Sequence, residues 1–132
     1  MSATNSTAPI LTIVNPTESK PTSNQPVEYT ISSVLKQLGI RTKFVGYNYL
    51  KTAISLCCEN PDEYAYLITK RLYPAVAKTY RVNNTAIERA IRSAISDIRC
   101  ADITKEQIIG YTSDSYTNKE IITAITEYIR YL

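Results

Sequence analysis

Asn84 to Arg99 reads NTAIERAIRSAISDIR, and the reading of this stretch decides the rest. Apolar residues recur at Ile87, Ala90, Ile91, Ala94, Ile95 and Ile98, the three- and four-residue spacing by which a helix buries one face. At about 100° per residue, Thr85, Arg89, Arg92 and Ser96 fall opposite that seam, with Glu88 and Arg99 beside them. A docked helix with an arginine face suits DNA reading, but many ordinary surface helices share the pattern, so the flanking segments decide.

Immediately upstream, Tyr73-Pro74-Ala75-Val76-Ala77-Lys78-Thr79-Tyr80 predicts a short helix with Val76 and Ala77 inward. Proline is tolerated in a first turn, so Pro74 either opens this helix or bends the one before it. Arg81 to Asn84 connect the two segments, and Asn83 or Asn84 is expected to take the left-handed turn position. Thr85 and Glu88 stand at capping-box spacing, which starts the second helix. A short helix, a short turn and a capped amphipathic helix together form the layout of a helix-turn-helix.

Further out, Ile31, Val34, Leu35 and Leu38 predict a first helix stopped by Gly39. A second runs from about Phe44 to Glu59, with Val45, Tyr49, Leu50, Ala53, Ile54, Cys57 and Cys58 at apolar positions and Asn60-Pro61 as its stop. A third starts near Asp62 and carries Tyr64, Leu67, Ile68 and Leu72. Downstream, a short helix is expected from Thr104 to Ile109, closed by Gly110. A last helix is capped by Thr117 with Glu120 and buries Ile121, Ile122, Ala124, Ile125, Tyr128 and Ile129. No strand alternation follows residue 27. The expected fold is all-α, a compact bundle of about six helices over residues 28–132. Residues 1–27 are rich in Ser, Thr, Asn and Pro and read as a disordered arm, with one β-prone run at Ile10-Leu11-Thr12-Ile13-Val14 that suits docking on a partner.

Composition narrows the chemistry. The 132 residues contain no histidine, which removes Ser-His-Asp and Cys-His nucleophile pairs and most zinc ligand sets. The three cysteines, Cys57, Cys58 and Cys100, have no paired spacing and read as free, buried thiols of a reducing cytoplasm. No Gly-rich phosphate loop occurs. These readings favour a non-enzyme without metal or cofactor. No apolar run approaches the roughly 20 residues of a membrane span, and no leader pattern opens the chain, so a cytoplasmic location is expected. The 11 tyrosines could suggest stacking on single-stranded nucleic acid, but Tyr49, Tyr64 and Tyr128 stand at helix-core spacing, which favours core packing. Lys70 to Arg99 hold seven basic and two acidic residues, a local charge of +5 in a chain whose total is +3. An anionic partner meeting one face follows from that distribution.

Leu72-Tyr73-Pro74, Ala77-Lys78 with Tyr80, Ile87-Glu88-Arg89-Ala90-Ile91-Arg92, Gly110-Tyr111-Thr112 and Thr117-Asn118 then stand in a recognisable order. Upstream, Gly39-Ile40, Gly46-Tyr47, Tyr49-Leu50 and Ala53-Ile54 agree with it. The chain resembles, over about residues 31–130, the carboxy-terminal DNA-binding effector domain of the sporulation regulator Spo0A. The resemblance implies a six-helix domain that binds short promoter boxes in double-stranded DNA, often as head-to-tail pairs or dimers. It also implies contact with the sigma subunit of RNA polymerase. By position it makes Glu88, Arg89 and Arg92 base-reading residues on a recognition helix of about residues 85–99.

Thr85, Lys78, Arg81, Ser96 and Lys70 are then expected at the DNA backbone. Ala86 stands where the family carries a base-reading arginine, and Ser93 where it carries a histidine, so the recognised box should be relaxed or different. The segment from Asp97 to Ile109 is shorter than the family's activating surface. No aspartate precedes Asp62, so these residues hold no receiver-type phosphoacceptor upstream of the helices. The alternative is an interaction protein that kept the scaffold and pairs with a homologous regulator through its last helix or Ile10–Val14.

Overall fold

A computed structural model describes residues 27–132. Most of the expected arm, including Ile10–Val14, lies outside the described residues, and Val27 already belongs to the first helix. Among the described residues the chain forms helices and connecting turns, without strands. The helices are α1 (Val27–Gln37), α2 (Val45–Glu59), α3 (Pro61–Tyr64), α4 (Tyr73–Tyr80), α5 (Asn84–Ile95), α6 (Asp102–Ile108) and α7 (Asn118–Arg130), and a π-helical turn spans Ile68–Leu72.

The centre of the bundle is α2, which packs against α1, α4, α5 and α7. Leu50, Ala53, Ile54 and Cys57 face inward from it and meet a core shared with Ile31 and Leu35 of α1, Ile87 and Ile91 of α5, and Ile121, Ile122 and Ile125 of α7. Each fully buried isoleucine or leucine contributes roughly 1.5–3 kcal/mol, which fixes the faces that the periodicity marked. Besides Leu67, which is 40% exposed, the expected apolar position Val45 is 57% exposed. Val45 is the first residue of α2 and lies on the side away from the bundle, while the next two residues, Gly46 and Tyr47, are buried.

Gly39 stops α1 as expected, with φ +82°. Its N–H donates to the Lys36 carbonyl at 2.9 Å, and the Ile40 N–H to that of Leu35 at 3.1 Å. A side chain at Gly39 would also strike the Arg99 carbonyl, because the loop after α5 is laid against this turn. There the Arg99 N–H donates to the Leu38 carbonyl at 2.8 Å.

The third expected helix is divided. α3 makes one turn, and the chain reforms as the π-helical turn, in which the Leu72 N–H reaches back five residues to the Leu67 carbonyl at 3.1 Å. The break falls at residues 65–67, where Leu67 leaves the helical region at φ −128° and ψ 55°; farther on, Pro74 has no N–H for the Lys70 carbonyl, so a regular ladder cannot run on from the π-helical turn. Pro74 therefore opens α4. The last two helices follow expectation, with Gly110 (φ +105°) after α6 and a complete Thr117–Glu120 capping box on α7.

Candidate nucleic-acid interface

α4, a three-residue turn and α5 form the helix-turn-helix. Tyr73, Val76 and Ala77 bury the inner side of α4. Tyr80 fastens its far end to α2. Its ring lies 4.8 Å from that of Tyr49, and its hydroxyl is 2.7 Å from Thr52 Oγ1.

The turn differs from expectation in two places. Arg81, rather than Asn83 or Asn84, takes the left-handed conformation, at φ 59° and ψ 45°. Among the described residues it is the one non-glycine with positive φ. Asn83 is extended, and its Oδ1 accepts the Ala86 N–H at 2.7 Å, so Asn83 caps α5. An N-cap needs extended backbone, which excludes Asn83 from the left-handed role. Reversal is completed earlier, where the Val82 N–H donates to the Ala77 carbonyl at 3.0 Å. The Thr85–Glu88 capping box does not form. Thr85 lies inside the first turn, and Glu88 is free to bond elsewhere.

On α5, Ile87, Ile91, Ala94 and Ile95 are buried while Thr85, Arg89 and Arg92 share the exposed side. The helix is shorter than the expected 85–99. It ends at Ile95, and Ser96 is its C-cap, with Oγ donating to the Ser93 carbonyl at 2.7 Å. Arg99 falls in the following loop and no longer accompanies the arginine face.

Charge on this side is unevenly available. The carboxylate of Glu88 accepts from Arg92 Nη2 at 2.7 Å, Glu63 pairs with Arg71 at 3.5 Å, and Asp97 pairs with Arg99 at 3.2 Å. Lys70, Lys78, Arg81 and Arg89 are exposed and form no ion pair among the described residues. Of the three expected base readers, Arg89 therefore presents an uncommitted guanidinium, while Glu88 and Arg92 present a joined pair.

Three contacts that sequence reasoning passed over hold α5 in place. At Gly46, α2 runs so close that an added Cβ would collide with the Ala90 carbonyl and stand 3.1 Å from Ala94 Cβ. Asn118, the first residue of α7 and only 8% exposed, donates from Nδ2 to the Glu88 carbonyl at 3.0 Å and to the Tyr73 hydroxyl at 3.1 Å. One amide thus links α7 to both helices of the motif. At the other end Asp97, 5% exposed, accepts from the Arg41 N–H, Nε and Nη2 at 3.1, 3.0 and 2.8 Å. Hydrogen bonds from Arg41 hold the Asp97 carboxyl at about 2, against the opposing effect of desolvation. Asn118 was visible in the Thr117–Asn118 pair, and Gly46 in Gly46-Tyr47. Asp97 had no local signal, since its partner lies 56 residues away.

The remaining chemistry is structural. Cys57 is buried, Cys58 and Cys100 are half-buried, and all three are free. Burial pushes the Cys57 and Cys58 thiols up to about 11, the reverse of what a nucleophilic cysteine needs. Among the described residues no group of three or more Cys, Asp or Glu could hold a metal ion, and no helix is long and apolar enough to cross a membrane. A family model described as "Sporulation initiation factor Spo0A C terminal" matches residues 31–129, which include every helix of the bundle except the start of α1 and the last residue of α7.

Proposed function

Because the chain belongs to the Spo0A carboxy-terminal family, a family of DNA-binding effector domains rather than enzymes, we propose that it is a sequence-specific transcriptional regulator that lays α5 in the major groove. Arg89 is the principal reader, by bidentate contact with a guanine edge. Arg92 and Glu88 meet the neighbouring base pair as a unit. Thr85, Lys78, Arg81 and Lys70 hold the phosphate backbone, and Ser96 marks the far end of the contact. The observation that carries this reading is the exposed guanidinium of Arg89, in no ion pair among the described residues, on the outer face of a helix held at Glu88 and just beyond its last residue at Asp97.

Ala86 is half-buried and its N–H is taken by the Asn83 cap. An arginine is what the resemblance implies there, so with alanine in its place the box should be one base pair less discriminating, by about 1–3 kcal/mol. On a promoter with adjacent boxes, two copies sit head to tail. Regulation is exerted in the cytoplasm, on nucleoid DNA, and no aspartate stands before Asp62 to accept a phosphoryl group upstream of the helices. Contact with the sigma subunit, or with a homologous regulator, decides whether the outcome is activation or competition.

The test is binding of paired duplexes, one carrying a selected box and one random. Arg89→Ala should abolish the preference, costing roughly 1–3 kcal/mol on the box alone. Lys78→Ala should weaken both duplexes alike and lower the salt slope by about one. Equal losses from both substitutions on both duplexes would overturn base reading by Arg89.

A further inference from the structure

Arg41 and Lys43 lie far from the basic segment Lys70–Arg99 in sequence, yet the fold brings them to the end of α5. Gly46 is pressed against Ala90 and Ala94, so the chain entering α2 runs beside the last turns of α5. The Arg99 N–H donates to the Leu38 carbonyl at 2.8 Å, which joins the turn after α1 and the loop after α5 into one corner. Asp97 sits inside that corner with a side chain only 3% exposed. Its Oδ1 accepts from Arg41 Nη2 at 2.8 Å and from Arg99 Nη2 at 3.2 Å. Phe44 is a second support, with Arg41 Cζ 5.6 Å and Lys43 Nζ 5.5 Å from the centre of its ring.

Three cations thus gather around one carboxylate and one ring, and no other acidic side chain pairs with them among the described residues. The carboxylate is buried, while the Arg41 and Arg99 side chains remain 45% and 67% exposed and Lys43 is exposed beside them. A guanidinium carries five N–H donors, so the contact with Oδ1 leaves most of the Arg99 fork available. Excess positive charge with planar donors, held on a fixed backbone corner, suits a phosphodiester. The corner is also well placed for one. From Arg89 to Ile95 the axis of α5 advances about 9 Å, within a major groove about 12 Å wide.

We propose that Arg41, Lys43 and Arg99 form a further phosphate-binding site, which takes the strand at the edge of the groove that α5 enters. The site is blind to sequence and holds the C-terminal end of α5, while Lys78 and Arg81 serve its N-terminal end. This inference rests on the proposal that α5 faces DNA.

Lys43→Ala and Arg99→Ala are the informative substitutions, because Asp97 keeps its three hydrogen bonds from Arg41 and the corner stays folded. Each phosphate contact contributes about 0.9 to the dependence of log K on log salt, roughly eightfold in affinity at 0.1 M salt. The double variant should therefore lower the salt slope by about 1.8 on a selected box and on random duplex alike, with their ratio unchanged. Ethylation of phosphates at one edge of the footprint should block the wild-type chain and cease to matter for the variant. Arg130→Ala removes a charge at the other end of α7 from Asn118 and should leave both the slope and the ethylation pattern as they are.

A wild-type salt slope in the double variant would overturn the inference. An equal fall per charge in Arg130→Ala would overturn it too, by showing a long-range field in place of a contact. If the wild-type chain binds no duplex even at low salt, the DNA-reading proposal fails and takes this site with it. Loss of preference in Arg89→Ala, beside an unchanged slope in the double variant, removes this inference alone.

Discussion

Gly46→Ala is the most direct perturbation of the scaffold under α5. The added methyl would enter the space held by the Ala90 carbonyl and approach Ala94 Cβ to 3.1 Å. The obstacle is backbone, so no rotamer change relieves it. Restoring carbon contacts of ordinary length, about 3.5–4.0 Å, requires α2 and α5 to part by roughly an ångström at their crossing. A gap of about 0.5–1 Å forfeits a quarter to a half of each dispersion contact. α2 and α5 share the largest helix–helix interface of the bundle. Overpacking of this kind costs about 1–3 kcal/mol, occasionally more, and a backbone obstacle belongs at the upper end. Alanine returns up to about 1 kcal/mol of helix propensity. The net loss should be about 2–3 kcal/mol, a fall in Tm of roughly 10–20 °C for a domain of this size. Thermal unfolding followed by circular dichroism measures it, and duplex binding below the new Tm should show lost preference for the box. A Tm within about 2 °C of wild type would refute the close approach on which the placement of α5 depends.

Arg81→Gly should have opposite effects on stability and binding. Relief of a left-handed non-glycine residue should stabilise the fold by about 1 kcal/mol, while loss of the guanidinium weakens all duplexes and lowers the salt slope by about one; thermal unfolding and a salt titration read the two separately. Asn118→Ala removes the amide that joins Tyr73 and Glu88 to α7 and should cost about 1–2 kcal/mol, together with preference for the box, as seen in unfolding and in binding to paired duplexes. Asp97 is depressed to about 2 in the fold, below the ordinary carboxylate value, so its stabilisation is complete above about pH 4 and is lost as pH falls toward 2. Denaturant midpoints should fall through that window, and Asp97→Asn should be less stable at pH 7 and lose less on acidification.

What the sequence could tell depended on how local each cause was. The buried seam of α5, the Gly39 stop and the Thr117–Glu120 cap each arise within a few residues, and each was legible as a spacing. At the start of α5, three polar residues in a row could serve as cap. The glutamate three places after Thr85 favoured that residue, but the chain capped from Asn83 and put the positive φ on Arg81, against residue preference. The end of α5 was not legible because Asp97 turns inward to Arg41 from across the bundle, drawing Ser96 to Arg99 out of the helix. The charge count of Lys70 to Arg99 picked out basic residues that are exposed in the fold. It could not separate the basic residues already paired with Glu63, Glu88 and Asp97 from Lys70, Lys78, Arg81 and Arg89, since one of those carboxylates lies outside the segment and another comes from a turn.

We propose that α5 reads sequence through Arg89. Selection of bound duplexes from a random library by the full chain, at physiological salt and in parallel with Arg89→Ala, tests it most directly. Enrichment of one short box by the wild-type chain is expected, with a fixed guanine that ceases to be enriched in the variant. Enrichment of the same box by both proteins, or of no box by either, would contradict it.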